Sequence, residues 1–420
     1  MTERVRITGA HITPVAFADP PLLNAAGVHE PYAIRAIIQL DTDCGLVGLG
    51  ETYADDAHLR RLQRAAEAIA GQDVFALNAM WRLVHESLAG DTGSDSHGLT
   101  GAISTAGTVD RTFAAFEVAA LDVQGHLLGR PVSDLLGGRV RDRVPFSAYL
   151  FYKWAGHPGR PDDSWGAALD PDAIVGQARR MIAEYGFTAI KLKGGVFAPA
   201  QEVEAVHALR TEFADLPLRI DPNAAWSVDT SLRVASALDG VIEYLEDPTA
   251  GLDGMAAVAR AASMPLATNM CVVGFDDLAP AVARGSVGVL LSDHHYWGGL
   301  QRSRLLAGTC ETFGLGVSMH SNSHLGISLA AMVQLGAAIP NLAYACDTHW
   351  PWKTQDVVPV GTFRFVDGSV EASDLPGLGV TLDQDALGEL HELYLTCGLR
   401  NRDDTGYMQS IEPEYTRRIW

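Results

Sequence analysis

Short apolar runs alternate with longer amphipathic stretches over residues 144–346. In the stretch 172–186, Ile174 and Ala178 begin a series of apolar residues at helical spacing, and Gly186 follows as a helix C-cap. We predict that helices of this kind separate eight strands near residues 144–150, 188–193, 216–221, 241–246, 265–269, 287–292, 315–320 and 342–346.

Regular alternation of strands and helices predicts an α/β fold with parallel strands joined by right-handed crossovers. Eight units of similar length favour a closed barrel, because no G-x-G-x-x-G phosphate loop follows the first strand. An open, doubly wound sheet is the alternative.

The two ends of the chain have a different pattern. Strands are predicted near residues 4–16 and 33–50, and helices near 56–90 and 110–136. The last residues again contain strand and helix patterns but cannot form a ninth barrel unit. We therefore predict an α+β unit over residues 1–140, a barrel over 141–360 and a C-terminal segment over 361–420 that returns to the first unit.

The composition favours a cytoplasmic protein. Five cysteines without a C-x-x-C pair argue against a disulfide framework and against a thiolate metal site. The N-terminus lacks the apolar core of a signal peptide, and no apolar run reaches the roughly 18 residues of a membrane span. We expect no membrane association.

The charge restricts the partners. A formal net charge of −20 repels phosphate backbones, so nucleic acid is not an expected partner. A small anionic substrate would meet the same repulsion, and its site must supply local cations. Those cations are either a divalent metal or clustered lysine and arginine side chains.

Polar side chains follow the predicted strands where the strands end. Lys191 and Lys193 lie two apart on the second strand, so both point into the barrel. A buried lysine needs an acid or a substrate anion as partner, and burial near a metal would depress its pKa and suit it to act as a base. The alternative is that one lysine only pairs with a neighbouring carboxylate.

The next three strands end in oxygen ligands. Asp221, Glu246 and Asn269 follow the third, fourth and fifth strands. Three oxygen donors without thiolates suit Mg²⁺ better than zinc. Each residue alone is ordinary turn chemistry, and only their repetition on adjacent strands indicates a metal site.

A carboxylate and a histidine end the sixth and seventh strands. Asp293 and His320 are therefore expected to be neighbours, and a carboxylate beside an imidazole fixes its tautomer and raises its basicity. In a ring of eight strands this pair would lie opposite Lys193. Two acid–base groups would then flank one metal.

These segments resemble those of the enolase superfamily, and within it the glucarate dehydratase group of acid-sugar dehydratases. The resemblance extends over nearly the whole chain, including the helical segment 117–138. The motifs that carry it are KLKGG (191–195), DPNAAW (221–226), EDP (246–248), ATNM (267–270), MHSNSH (319–324), DTHW (347–350) and GLRNRDD (398–404).

The resemblance implies a (β/α)₇β barrel capped by an α+β domain built from both chain ends. It also implies Mg²⁺-assisted removal of the proton next to a carboxylate, followed by loss of the β-hydroxyl. By similarity, Lys193 is one base and His320 with Asp293 is the other, while Lys191 stabilises the developing negative charge. The implied substrate is a dicarboxylate such as D-glucarate or L-idarate, converted to 5-keto-4-deoxyglucarate.

Other matches concern substrate contacts. Arg402 and His29 are expected to supply cations for a second carboxylate. The substrate-binding residues implied by the resemblance are Asn24, His29, Tyr149, Lys191, Asn223, Ser321, Asn322, His349 and Arg402.

Several segments depart from the group. The stretch 249–270 is shorter than usual, HHYWGGL (294–300) replaces a PHFW-type turn, and 98–109 does not align with a substrate-contacting threonine. These departures leave open another acid sugar, such as galactarate or an aldonate. A racemase or epimerase and a non-catalytic paralogue are further alternatives. A homo-oligomer assembled through the capping domains is also expected.

Overall fold

The computed structural model describes residues 4–91 and 105–420. The N-terminal unit is built on an antiparallel sheet in the order β1–β4–β5, in which Ala18 pairs with Tyr32 and Arg35 pairs with Tyr53. Its elements are β1 (Ile7–Ala18), β2 (Leu23–Asn24), β3 (Gly27–Val28), β4 (Tyr32–Thr42), β5 (Val47–Tyr53), α1 (Asp56–Ile69), α2 (Leu77–Ser87), α3 (Thr105–Leu128) and α4 (Val132–Leu135).

The sheet packs closely on α3. Gly48 and Gly50 lie on β5 where a Cβ atom would overlap the carbonyl oxygens of Ala119 and Ala115. Larger residues would push the helix away from the sheet, because packed interiors tolerate little added volume. This packing places β4 and β5 on the side of the unit that faces the barrel. Arg35 and several other buried polar side chains lie on these two strands.

The barrel strands are short, parallel and consecutive in the sheet, in the order β7 to β13. They are β7 (Ala148–Phe151), β8 (Ile190–Lys193), β9 (Leu218–Asp221), β10 (Tyr244–Glu246), β11 (Leu266–Thr268), β12 (Val289–Ser292) and β13 (Gly316–Met319). The helices between and after them are α5 (Pro171–Tyr185), α6 (Pro199–Glu212), α7 (Val228–Ala237), α8 (Gly251–Ala259), α9 (Phe275–Arg284), α10 (Leu300–Phe313) and α11 (Gly326–Ala338).

The helix prediction for 172–186 is confirmed in detail. Asp170 caps α5 by accepting from the Ala173 amide, and Gly186 adopts φ 70° as the C-cap. The predicted α/β barrel with a cap is confirmed, and the open-sheet alternative is wrong.

Two predicted barrel strands differ from the structure. The first, near 144–150, is divided: β6 (Arg143–Pro145) pairs with β15 (Ser369–Glu371) outside the barrel, and only β7 enters it. The eighth, near 342–346, forms parallel bridges from Leu342 to Val317 and from Cys346 to Phe146. It closes the ring between β13 and β7 with isolated pairings instead of a regular strand.

The C-terminal residues return to the N-terminal unit. The His391 ring lies on α12 (Gln384–Cys397) and forms a hydrogen bond of 2.7 Å with the Pro14 carbonyl on β1. The remaining elements are a 3₁₀ turn (Trp350–Trp352), β14 (Phe365–Val366), which pairs with β15, and α13 (Asp404–Ile411). The boundaries at 140 and 360 stay predictions.

Of the unaligned segment 98–109, residues 98–104 lie outside the described residues. Within the described ranges, no helix combines the length and the apolar character needed to cross a bilayer. All five cysteines are free thiols.

Candidate active site

Lysine ammonium groups and carboxylates meet inside the barrel mouth. The Nζ atom of Lys191 lies 2.7 Å from a carboxylate oxygen of Glu246 and 2.7 Å from Asp347 Oδ2. Lys193 Nζ donates to Asp221 Oδ2 over 2.6 Å. Both lysines are buried, as the period-two spacing predicted.

The carboxylates set the charge of Lys191. Burial opposes an ammonium charge, but Asp347 and Glu246 outweigh burial and raise the pKa of Lys191 well above its usual value. The depressed lysine pKa expected beside a metal therefore stays a prediction, because without a cation the carboxylates decide the Lys191 charge. Burial and the nearby Asp221 charge raise the pKa of Glu246.

Three oxygen donors follow adjacent strands, as predicted. Asp221 and Glu246 end β9 and β10, and Asn269 comes directly after β11. The Asn269 Oδ1 atom is buried and accepts no hydrogen bond from the described residues, while its backbone N–H donates to Asp247 over 2.9 Å. A buried carbonyl oxygen without a donor beside two carboxylates fits a hard cation. The donor set therefore suits Mg²⁺.

The predicted acid–histidine pair is assembled. His320 Nδ1 lies 3.1 Å from Asp293 Oδ2. The other carboxylate oxygen, Oδ1, lies 2.7 Å from Nδ1 of His295. Burial opposes the Asp293 charge, yet the two histidines hold the pKa of that carboxyl well below its usual value.

The two acid–base groups come from opposite sides of the ring. Lys193 ends β8, the second barrel strand, whereas Asp293 and His320 follow the sixth and seventh, β12 and β13. The three oxygen ligands follow the strands in between. Groups on both sides of a chelated substrate could therefore exchange protons with it.

Three of the predicted substrate contacts lie in a row that begins at Lys191. The Tyr149 ring covers Lys191 Nζ at 4.6 Å and meets the His349 ring edge to face at 5.0 Å. His349 Nδ1 also lies 3.3 Å from the Ser321 hydroxyl. Burial lowers the pKa of His349 well below its usual value, so this imidazole is neutral.

Asn322 and Asn223 have different surroundings. The Asn322 amide donates to the Tyr53 hydroxyl of the cap at 2.7 Å. Asn223 adopts φ 49°, and within the described ranges its buried Oδ1 accepts no hydrogen bond. Its backbone N–H donates to Asp221 over 2.9 Å, so the DPN turn orients a metal-type ligand.

The early loop and the C-terminal segment meet at the Asp404 carboxylate, which accepts hydrogen bonds from both. Arg402 donates twice to Asp404, each time over 2.9 Å, and Asn24 donates to the same carboxylate over 2.9 Å. His29 Nδ1 lies 3.0 Å from Asp19 Oδ2. Both cations expected for a second substrate carboxylate thus already have protein carboxylates as partners.

Several residues of this site are not among the predicted ones. Asp347 follows the eighth barrel segment, as the other polar groups follow their strands, so the same pattern could have identified it. Asp247 belongs to the EDP motif, but the motif alone gives no reason to expect it to hold the Asn269 backbone. His295 and Arg35, 2.9 Å apart, come from different domains, and no local pattern indicates their contact.

Family models match both parts of the chain. Residues 8–137 match the mandelate racemase / muconate lactonizing enzyme N-terminal domain, and residues 173–386 match the enolase C-terminal domain-like family. A Streptomyces coelicolor protein named as a probable glucarate dehydratase is 49% identical, with 99% of this chain and 98% of the relative covered.

Solved structures agree with this assignment. An enolase from Mycobacterium smegmatis complexed with tartrate is 68% identical, with a TM-score of 0.96 and 99% of this chain and 98% of that chain covered. An enolase from Thermobispora bispora complexed with magnesium and formate is 62% identical, with a TM-score of 0.97 and 99% and 100% covered. The chain belongs to the enolase superfamily, as the motifs at its strand ends indicated.

Proposed function

We propose that the protein is a Mg²⁺-dependent acid-sugar dehydratase. Its first-choice substrates are D-glucarate and L-idarate, which it converts to 5-keto-4-deoxyglucarate and water. The resemblance to a probable glucarate dehydratase supports the reaction class. The tartrate and magnesium complexes of the related enolases support a hydroxylated dicarboxylate and a divalent metal.

One observation carries the proposal: Lys193 and the Asp293–His320 pair lie on opposite sides of an oxygen-donor site. Removal of a proton next to a carboxylate needs a positioned base together with stabilisation of the charge that develops. Loss of the neighbouring hydroxyl needs a proton donor. Two separate acid–base groups supply both.

The side chains divide these roles. Lys193 or His320 accepts the proton, depending on which face of the substrate carries it. His320 then returns a proton to the departing hydroxyl, which leaves as water. Lys191 places a positive charge beside the reacting carboxylate.

Asp221, Glu246 and Asn269 would hold the metal. Bound Mg²⁺ would supply positive charge to the substrate carboxylate as the neighbouring proton leaves. The orphaned Asn269 Oδ1 is the feature of the chain that fits this role.

A substrate panel tests the proposal. With Mg²⁺, the purified protein should convert D-glucarate to a keto acid that reacts with semicarbazide. Lys193→Ala and His320→Asn should abolish turnover, whereas His207→Asn, on the exposed side of α6, should retain it. Absence of turnover on every hexarate and aldonate would refute the dehydratase assignment. Solvent-deuterium exchange without water loss would identify a racemase or epimerase instead.

A second candidate is a dehydratase of sugar monocarboxylates. It is favoured by the bidentate pairing of Arg402 with Asp404, which leaves this cation already neutralised. A neutral polyol end would need no free cation there. Faster turnover of an aldonate than of D-glucarate would select this candidate.

We further propose that the enzyme acts in the cytoplasm as a homo-oligomer. The free thiols fit a reducing compartment.

A further inference from the structure

A second histidine shares the carboxylate of the acid–base pair. His295 approaches Asp293 Oδ1 with both its ring Nδ1, at 2.7 Å, and its backbone N–H, at 3.0 Å. His320 uses the other oxygen. All three side chains are buried. The proton on His295 therefore decides how much of the Asp293 charge acts on His320.

An arginine from the capping domain determines where that proton lies. Arg35 NH2 lies 2.9 Å from His295 Nε2, and a guanidinium can only donate. Nε2 must accept, so the ring proton of His295 is on Nδ1, where it is donated to Asp293. The Ser328 hydroxyl, 2.9 Å from the same nitrogen, is a second available donor.

Arg35 is itself held in place. Its Nε donates to Glu51 Oε1 over 2.9 Å. Glu51 also accepts the backbone N–H groups of Leu325 and Ser328, each over 2.8 Å, at the start of α11. Burial opposes the Glu51 charge, but Arg35 outweighs it and lowers the pKa of Glu51 to about 2. The pair thus fixes the guanidinium to the barrel as well as to the cap.

Burial and the Arg35 charge favour a neutral His295. Both lower the pKa of His295, whereas the Asp293 charge raises it and is outweighed. A protonated His295 would compensate the Asp293 carboxylate and reduce the basicity of His320. The titratable and charged groups around His295 are Asp293, His294, His320 and His324 from the barrel and Arg35, Glu51, Tyr53 and Arg111 from the cap.

We propose that Arg35 and His295 are positioning residues for the acid–base pair: Arg35 fixes the neutral Nδ1–H tautomer of His295, so that the Asp293 charge remains available to His320. The capping domain thereby sets the proton arrangement of a pair that belongs to the barrel. The inference rests on the proposed function only in assigning proton transfer to His320.

The same residues admit another interpretation. Ligand atoms of Asp293, His294 and His295 lie within 4.8 Å of one another, a spacing compatible with a metal ion. The Arg35 guanidinium beside His295 would repel a cation there. Arg35 therefore favours a hydrogen-bonded network over a second metal centre.

Histidine NMR of the full-length protein without Mg²⁺ tests the proposal directly. With ¹⁵N-labelled histidine, and signals assigned through His295→Gln and His320→Asn, wild-type His295 should be neutral at about pH 7 with the proton on Nδ1 and should titrate below the usual histidine range. In Arg35→Met, the titration of His295 should move up towards the usual histidine range, and its ring proton should no longer be confined to Nδ1. Arg35→Lys, which keeps a cationic donor, should restore the wild-type pattern.

A matched control removes another buried arginine of the cap. Arg61→Gln breaks a pair with Asp91 and should leave the His295 spectrum unchanged. If Arg35→Met does not fold, the double variant Arg35→Met/Glu51→Gln, which removes both charges of the pair, is measured instead. The proposal is overturned if wild-type His295 carries protons on both nitrogens near neutral pH. It is also overturned if neither Arg35→Met nor the double variant changes the tautomer or the titration of His295.

Turnover gives an independent measurement. The Arg35→Met variant should lose about tenfold to hundredfold in kcat, less than the roughly 100- to 10,000-fold expected for losing an acid–base group. If no acid sugar is turned over, the proposed function fails, while the NMR result still decides the tautomer.

Discussion

Replacing Lys191 by methionine should destabilise the barrel while leaving its shape intact. The ammonium of Lys191 lies 2.7 Å from both Glu246 and Asp347, and all three side chains are essentially inaccessible to solvent. Removing one partner of a buried ion pair costs about 3–5 kcal/mol, because the remaining charge is left uncompensated. Arg219, 3.8 Å from Asp347, compensates part of one charge. We therefore expect a loss near the lower end, about 3 kcal/mol.

This loss should depend on pH. In the variant, burial and Asp221 still raise the pKa of Glu246, whereas the ammonium that lowers it is gone. The folded pKa of Glu246 then lies above its unfolded value of about 4.3. A carboxyl group with a raised folded pKa contributes most stability below the unfolded pKa and loses it as the pH rises. Because the Glu246 pKa is raised in the wild type as well, the difference from wild type should widen only as the pH rises above the wild-type Glu246 pKa.

Thermal unfolding with and without Mg²⁺ is the assay. At an unfolding entropy of about 2.1 cal/mol/K per residue, 1 kcal/mol shifts the Tm of this chain by about 1 °C, so we expect a fall of about 3 °C. Mg²⁺ should restore part of it, since a cation bound to Glu246 replaces the missing ammonium charge.

Lys153→Met is the matched control for Lys191→Met. Lys153 is equally buried, but its partner Asp163 has a side chain that is 29% exposed and can be rehydrated. We expect a smaller loss and no recovery with Mg²⁺. A shift under about 1 °C for Lys191→Met, or equal shifts at all pH values, would show that Glu246 and Asp347 do not depend on Lys191.

Three further changes give distinct results. Asn269→Ala should reduce the Mg²⁺-dependent rise in Tm, and an undiminished rise would remove Asn269 from the ligand set. Glu202 accepts three backbone N–H groups after β8, including that of Gly195, and burial raises its pKa to about 7. Glu202→Gln should speed amide exchange in this loop and cost about 0.5–1.5 kcal/mol at low pH, where the wild-type carboxyl is neutral. The raised Glu202 pKa makes wild-type stability fall as the pH rises from about 4.5 to about 7. The stability difference between wild type and Glu202→Gln should therefore shrink over that range, which parallel urea titrations measure. Asp404→Asn should release Arg402 and lower KM for a dicarboxylate relative to an aldonate, and an unchanged ratio would exclude Arg402 from substrate selection.

The groups at the strand ends could be predicted because parallel strands impose their order on the side chains that follow them. Lys193, Asp221 and Asn269 each come at the end of an apolar run, and a βα rhythm places such ends at one face of a barrel. Asp347 obeys the same rule but follows a segment that forms only isolated bridges, so its strand signal is weak. The roles of these residues stay predictions until variants are assayed.

The contacts between domains could not be predicted in this way. Arg35 and His295 are 260 residues apart, and their contact depends on how the cap sheet lies over the barrel. Hydrophobic periodicity specifies which face of a strand is buried, but not which residue of another domain covers it. The divided first strand has a similar cause, because Val144 pairs with Val370 near the chain end.

The charge balance at the barrel mouth links the metal to the substrate. The ammonium groups of Lys191 and Lys193 face three carboxylates, Asp221, Glu246 and Asp347. Because the nearby Arg219 is also paired with Glu243, one negative charge is left over. The raised pKa of Glu246, caused by burial and by Asp221, reflects this excess. An anionic sugar acid approaching a protein with a net charge of −20 would add to it. A bound divalent cation reverses the local sign and leaves one positive charge, which matches a single substrate carboxylate. Sugar-acid binding should therefore require Mg²⁺, and calorimetric binding of D-glucarate without any divalent ion would contradict this charge balance.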